Sequence, residues 1–243
     1  MTGLQNTLPA NFSMRVQLRF LAAAAALSVA ACSESTSAPR ASNDRASASD
    51  RAPSFDYGTV GSFGRRTADF ALTSNGGSFN VNGMFTVNFP KNSVCDPDQS
   101  TYGPGEWDKP CVTLSGNKTI ALQATVQLTS TGVTVDFQPA LRFSPDAQVT
   151  ISTDIFAPMI VASRGYLYSH PAAARPLAVY YSPALGASLV PDYLSDRTAV
   201  THVDLSTGKI WRRIKHFSGW SQTSGEACDP RPDDPDCIEV DGP

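Results

Sequence analysis

The sequence is poor in the residues and motifs on which most catalytic sites depend. It has three histidines, His170, His202 and His216, and no His-x-x-x-His pair, glycine-rich phosphate loop or Gly-x-Ser-x-Gly turn. Acidic residues outnumber basic residues by 22 to 19, whereas non-specific binding of nucleic acid requires a basic surface. These absences favour a protein that is not an enzyme, needs no cofactor and does not bind nucleic acid.

One apolar run stands out, and it lies near the N-terminus. Residues 20–31 follow two arginines, form a run too short to span a bilayer and end in small residues directly before Cys32. This pattern resembles the lipobox of bacterial lipoproteins, in which the cysteine is lipidated and becomes the new N-terminus. The resemblance implies a signal peptide over residues 1–31, with Met14 as the true start. An ordinary signal peptide that happens to contain a cysteine is the alternative.

The segment that follows Cys32 has few residues that could build a core. Residues 33–53 contain no Val, Ile, Leu or aromatic residue, and this composition predicts disorder. We expect residues 32–69 to form a flexible tether between the lipid and the folded part. No later apolar run is long enough for a membrane helix, so the lipid is the expected membrane anchor. Ser33 is not the aspartate associated with inner-membrane retention, and this favours the outer membrane over the inner membrane.

After the tether, apolar residues alternate with a period of two, and no sustained 3.6-residue period occurs. The clearest strand is 118–129, where apolar and polar residues alternate over the whole length. An Asn-Gly pair at 82–83, which accepts positive φ values, lies between predicted strands at 78–81 and 84–89. Seven or more short strands separated by turns predict an all-β fold, an antiparallel β-sandwich over residues 70–221.

Aromatic residues offer a second kind of candidate site. On a strand, Tyr166 and Tyr168 would share a face, whereas Tyr180 and Tyr181 would face opposite ways and leave one ring near the surface. Together with Trp107, Tyr193 and Trp220, these rings could line a groove for a saccharide or a peptide. We expect most of them to lie in the core.

The period-two alternation of apolar residues also predicts later strands at 148–152, 177–181, 199–205 and 209–217.

Four segments, taken in order, resemble one known domain family. They are 76–81, 87–94, 137–151 and 216–220, and they are similar to the ZU-five domain, the β-sandwich of zonula occludens proteins, ankyrins and Unc-five netrin receptors. The resemblance covers residues 70–220 and implies an interaction or structural module rather than a catalyst. The chain departs from the family in the insert 95–111 and in the tyrosine-rich stretch 165–193.

Four cysteines remain once Cys32 is assigned to lipid, and they suit an oxidising compartment. Local pairing of Cys95 with Cys111 and of Cys228 with Cys237 is predicted, because each bridge would close a segment without a strand pattern of its own. The other two pairings remain possible on sequence alone. A four-cysteine zinc site is disfavoured, because the spacings do not resemble paired Cys-x-x-Cys knuckles.

The C-terminal residues 222–243 are rich in proline and in acidic residues, including Glu239 and Asp241. Clustered carboxylates can hold calcium, but the fixed ligand spacing of a calcium loop is absent. A solvated acidic tail is therefore predicted, and no metal site is expected. His202 and Asp204 could share one face of a strand, but the solvent face of a hairpin normally has such residues too.

The segment His216-Phe217-Ser218 matches the His-Phe-Ser motif at which some ZU-five domains cleave themselves. The resemblance implies that Ser218 would attack the carbonyl carbon of Phe217 while His216 accepts the hydroxyl proton. A simpler interpretation is that Phe217 is an inward core residue and that its polar neighbours face water. We expect the chain to stay intact.

These observations favour a lipid-anchored β-sandwich of the cell envelope that acts as an interaction or structural module. Its expected partners are the membrane, through the lipid, and another envelope protein or a glycan. Two alternatives remain. One is a carbohydrate- or peptide-binding domain, and the other is an autoproteolytic domain that cleaves between Phe217 and Ser218.

Overall fold

The structure is a computed structural model that describes residues 52, 53, 55, 64–129, 132–182, 190, 192–217, 219–223 and 238–242. Within these ranges, strands dominate and the helices are short. The strands are β1 Gly64–Thr73, β2 Gly77–Val81, β3 Phe85–Phe89, β4 Thr119–Leu128, β5 Gly132–Gln138, β6 Leu141–Arg142, β7 Thr150–Thr153, β8 Val179–Ser182, β9 Thr201–Asp204, β10 Ile210–Arg213, β11 His216–Phe217, β12 Gly219–Thr223 and β13 Ile238–Asp241. The helices are α1 Ala157–Ala162 and α2 Arg164–Ser169, with 3-10 turns at Pro104–Glu106, Pro171–Leu177, Asp192–Leu194 and Arg197–Ala199.

Most of the described strands belong to two sheets. The first sheet has the order β1-β4-β5-β12-β8 and is antiparallel throughout. The second has the order β13-β9-β10-β7-β3-β2 and is antiparallel except for the parallel pair of β13 and β9. Strands β6 and β11 form a short antiparallel pair of their own. The fold is therefore all-β and of the sandwich type, as predicted.

Phe217 on β11 lies at the contact between the two sheets. Its side chain is fully buried, and its ring stacks on Phe137 of the first sheet with 4.3 Å between ring centroids. On the other side it meets Phe89 of the second sheet at 5.3 Å, and Phe143 lies at 4.9 Å. Aromatic pairs at such separations add about 0.5–1.5 kcal/mol each beyond the burial of area. The burial agrees with the interpretation of Phe217 as an inward core residue.

Local signals in the sequence account for the central strands. In β4 the apolar positions from Leu122 to Leu128 are buried, and the polar positions between them are partly or fully exposed. Between β2 and β3, Asn82 and Gly83 have φ values of 53° and 74°, and the Met84 amide donates to the Val81 carbonyl at 3.0 Å. These values are those of the hairpin turn that an Asn-Gly pair predicts.

Both ends of the folded part differ from the prediction. Strand β1 begins at Gly64, so residues 64–69, which their composition assigns to the tether, pair with β4. The backbone of β4 holds this strand, and its largely exposed side chains give no alternation signal. At the other end, Ile238–Asp241 belongs to the predicted acidic tail but forms β13, which pairs with β9.

The tyrosine-rich stretch begins as helix rather than strand. Helices α1 and α2 have six residues each, too few for a 3.6-residue period to appear in the sequence. Tyr166 is half-buried and its ring stacks on His170 at 4.4 Å, whereas Tyr168 is 61% exposed. The prediction that these two tyrosines share a face is wrong, because residues two apart in a helix point about 200° away from each other. Among the described residues, no helix is long and apolar enough to cross a membrane.

Candidate functional site

The loop between Cys95 and Cys111 covers one end of the short strand pair β6–β11. The two cysteines form the predicted disulfide, with 5.7 Å between their Cα atoms, a separation typical of such bridges. We call residues 95–111 the disulfide loop. The predicted bridge between Cys228 and Cys237 and the lipidation site Cys32 lie outside the described residues.

Two further contacts fix the disulfide loop to the body of the sandwich. Arg142 on β6 is 5% exposed, and its Nη1 donates to the carbonyls of Glu106 at 2.7 Å and Lys109 at 2.8 Å. The Tyr102 hydroxyl donates to the carbonyl of Phe217 at 3.0 Å. Together with the disulfide, these contacts keep the side chains of the loop in one arrangement above β11.

His216 lies under this loop in a box of aromatic rings. Its ring stacks on Trp107 with 3.7 Å between centroids and faces Trp220 at 5.4 Å, and the edge of Tyr181 lies at 4.6 Å. Only 1% of His216 is exposed. Burial, and then the positive charges of Arg212 and Lys215, lower the pKa of His216 to about 3. The prediction that His216 faces water is therefore wrong, and its imidazole is neutral at physiological pH.

The environment of His216 bears on the self-cleavage hypothesis in two opposite ways. A buried imidazole whose pKa is about 3 accepts a proton poorly at neutral pH. In contrast, the hydroxyl of Tyr102 donates to the Phe217 carbonyl, the group that would be attacked, and such a donor stabilises negative charge on that oxygen. Ser218 lies outside the described residues. The described part of the motif thus combines a polarised carbonyl with a weak base.

A cleft of about 210 Å³ opens beside His216 and Trp107. Its charged lining residues are Asp108, Asp192, Asp196, Arg213 and Lys215. Two of its lining residues each have a buried polar atom, Trp107 Nε1 and Asp192 Oδ1, that forms no hydrogen bond with any other described residue. Buried polar groups are normally satisfied by a partner. The lining residues of the cleft therefore include one unused donor and one unused acceptor, both shielded from solvent.

Ion pairs fix the charged wall of the cleft. Lys215 Nζ lies 2.7 Å from Asp196 Oδ2 and also bonds Asp108. Burial alone would lower the pKa of Lys215, but the hydrogen bonds to Asp108 and Asp196 outweigh it and raise the pKa above its usual value. Arg212 is 1% exposed, donates to Asp192 at 2.8 Å and lies 4.8 Å from the centre of the Trp220 ring. The wall is thus charged and pre-positioned at neutral pH.

Four of the other aromatic candidates do not form an exposed groove: Tyr180, Tyr181, Tyr193 and Trp220. Tyr180, Tyr193 and Trp220 are 5% exposed or less and belong to the core, as expected for most of the set. Tyr181 is half-buried against Trp107, with 5.5 Å between their rings. Of the predicted set, Trp107 is the ring that lines the cleft. No signal in the sequence points to Arg142, because its role depends on a loop more than thirty residues away.

The sequence left a pair of His202 and Asp204 only as a possibility, and among the described residues these two side chains have different partners. Asp204 Oδ1 accepts from the amide and hydroxyl of Ser206 at 2.8 and 2.6 Å, and Thr207 donates to Oδ2 at 2.6 Å. These hydrogen bonds, the Ser206 hydroxyl first, lower the pKa of Asp204 to about 2. Asp204 therefore closes the turn between β9 and β10, whereas His202 faces two carboxylates of β13.

Comparison with known proteins returns no relative: no protein-family model, curated protein or solved structure matches the chain. The resemblance to the ZU-five domain thus remains a prediction from sequence segments.

Proposed function

We propose that this chain is a lipid-anchored β-sandwich of the bacterial cell envelope that acts as an interaction module, with the cleft beside the disulfide loop as its binding site. The observation that carries the proposal is that two residues lining one cleft each have a buried polar atom without a partner among the described residues, the indole donor Trp107 Nε1 and the carboxylate oxygen Asp192 Oδ1. Because the loop is fixed by a disulfide and by Arg142 and Tyr102, binding would cost little ordering of the site.

The dimensions and chemistry of the cleft restrict the ligand. Its volume of about 210 Å³ is below the range of roughly 300–1,000 Å³ of sites that enclose a whole drug-sized molecule. The cleft therefore suits the end, or one unit, of a longer polar chain. An aromatic face with a donor and an acceptor beside it matches a sugar ring or a peptide end, so the proposed partner is an envelope glycan or the terminus of an envelope protein.

The anchoring part of the proposal rests on the lipobox-like sequence before Cys32. We expect the wild-type protein to enter the detergent phase in a cloud-point separation and the Cys32→Ala variant to stay in the aqueous phase. A wild-type protein found in the aqueous phase would show that Cys32 is not lipidated.

The binding part can be tested by calorimetric titration with soluble peptidoglycan fragments, lipopolysaccharide oligosaccharides and short peptides. The variant Trp107→Phe keeps a ring over His216 but removes the Nε1 donor, and we expect it to weaken binding by about tenfold. Trp211→Phe, which changes an indole outside the cleft, is the matched control and should bind like the wild type. Equal affinity of the wild type and Trp107→Phe would place the binding site elsewhere.

Self-cleavage between Phe217 and Ser218 is the second candidate, and the Tyr102 hydroxyl on the Phe217 carbonyl favours it. The burial of His216 opposes it, so we expect a single intact chain in the mass spectrum. A fragment that begins at Ser218, present in the wild type and lost in Ser218→Ala, would make this protein an enzyme that acts once on itself.

A further inference from the structure

A separate cluster of ionisable side chains lies where the last described strand joins the second sheet. Strand β13 runs parallel to β9, and the register places Glu239 opposite His202 and Asp241 opposite Asp204. Residues two apart on a strand share a face, so both carboxylates of β13 project on the side of His202. The imidazole and the two carboxylates thus come together from segments about thirty-five residues apart in sequence.

The geometry of the cluster is close to that of a coordination site. His202 Nδ1 lies 3.7 Å from Glu239 Oε2 and 3.7 Å from Asp241 Oδ1, and potential ligand atoms of all three residues lie within 4.8 Å of one another. A separation of 3.7 Å is too long for a hydrogen bond. Two ligands about 2.1 Å from a tetrahedral zinc ion are about 3.4 Å apart, so the two distances from His202 Nδ1 need only a small adjustment.

The imidazole supplies an observation that is independent of the two acids. Nδ1 of His202 is shielded from solvent and forms no hydrogen bond with any described residue, although 20% of the side chain is exposed. The ring also stacks on Trp211 of β10, with 4.0 Å between centroids and 5° between planes. The stack fixes the direction of a buried nitrogen whose nearest acidic neighbours are Glu239 and Asp241.

The donor set selects the kind of metal. Calcium takes six to eight oxygen ligands, and magnesium is held mainly by carboxylates and water, whereas an imidazole with two carboxylates suits zinc and similar divalent transition metals. Two neighbouring carboxylates also repel each other, and a divalent cation between them removes that repulsion.

We propose that His202, Glu239 and Asp241 bind a zinc-type divalent metal ion that fastens strand β13 to the edge of the second sheet. Strand β13 has four residues and pairs with β9. The ion would add ligand bonds between the two strands, so metal binding and docking of β13 would stabilise each other. No metal is expected from the sequence. On sequence alone, Glu239 and Asp241 belong to a predicted acidic tail, and His202 is considered only beside Asp204 on the face of a strand.

The test uses the full-length protein without a histidine tag, with its disulfides intact and its metal removed by a chelator. Titration with zinc chloride should show one tight site per chain and a higher melting temperature. Hydrogen exchange of the amides at 238–242 should slow when zinc is bound. In Glu239→Gln and Asp241→Asn, which preserve side-chain size, we expect zinc binding to weaken at least tenfold and the rise in melting temperature to be lost.

Asp146→Asn, which changes an exposed carboxylate outside the cluster, is the matched control and should bind zinc like the wild type. Far-ultraviolet circular dichroism of the metal-free variants checks their fold. The proposal is overturned if the wild type binds no zinc, or if a folded Glu239→Gln variant binds it as tightly as the wild type. It is also overturned if zinc leaves the exchange of 238–242 unchanged in the wild type.

Discussion

The burial of His216 predicts a loss of stability on mild acidification. The folded-state pKa is lowered from 6.5 to about 3, first by burial. Between these values the unfolded chain binds a proton that the folded chain does not, so the contribution of His216 to stability is fully present above pH 6.5 and falls as the pH is lowered toward 3. Proton linkage at His216 alone lowers the free energy of unfolding by about 2 kcal/mol between pH 7 and pH 5. Over the whole interval between the two pKa values, the loss is on the order of 5 kcal/mol.

Urea unfolding of the full-length protein at pH 7, 6 and 5 measures this effect. Because carboxyl groups titrate mostly below pH 5, the change in the free energy of unfolding between pH 7 and pH 5 comes mainly from the histidines. We expect His216→Gln to lose about 2 kcal/mol less than the wild type between pH 7 and pH 5. His170→Gln, which changes an exposed histidine, is the control for the loss of an imidazole outside the core. The same pH dependence in the wild type and in His216→Gln would refute the assignment of His216 as a buried neutral residue.

Three further changes should lower the free energy of unfolding, each measured by urea titration. Asp192→Ala leaves its fully buried arginine partner without a carboxylate, and we expect a loss of about 3–5 kcal/mol; a loss below about 1 kcal/mol would show that the pair is solvated. The double variant Cys95→Ser/Cys111→Ser opens a loop with a sequence separation of 16 and should lose about 3 kcal/mol. Gly208→Ala should lower the free energy of unfolding by more than about 1 kcal/mol, because φ at Gly208 is 72° and an added Cβ would lie 2.5 Å from the backbone of Ala157. The control variant Gly105→Ala has open space around the added Cβ and should not show this loss.

Strands with one buried face were predictable from the sequence, and strands held mainly by their partners were not. The alternation in β4 and the Asn-Gly pair before β3 both have a local physical cause, and the structure contains both features. The first four residues of β1 are exposed, so no hydrophobic pattern marks where the strand begins. The short strand β13 depends on β9 for its hydrogen bonds, and its own acidic residues favour solvent.

The candidate site also combines features that can be predicted from the sequence with features that cannot. Trp107 and His216 are each conspicuous in the sequence, as a candidate aromatic and a motif residue. Their stacking depends on a loop that folds back over a strand more than a hundred residues later, as the bond from Tyr102 to Phe217 shows. Such long-range closure has no local signal. The local cysteine pairing was predictable because the enclosed segment lacks any strand pattern, but the position at which that loop docks was not.

The proposed binding site is the cleft beside the disulfide loop, where Trp107 would contact the ligand. The most direct measurement is the ¹H–¹⁵N spectrum of the indole groups, with the Trp107 Nε1–H signal assigned by its loss in Trp107→Phe. During titration with soluble envelope oligosaccharides and short peptides, we expect one ligand class to shift this signal progressively to saturation while the Trp211 signal stays in place. If a ligand binds and shifts Trp211 but leaves Trp107 unchanged, the cleft is not the binding site.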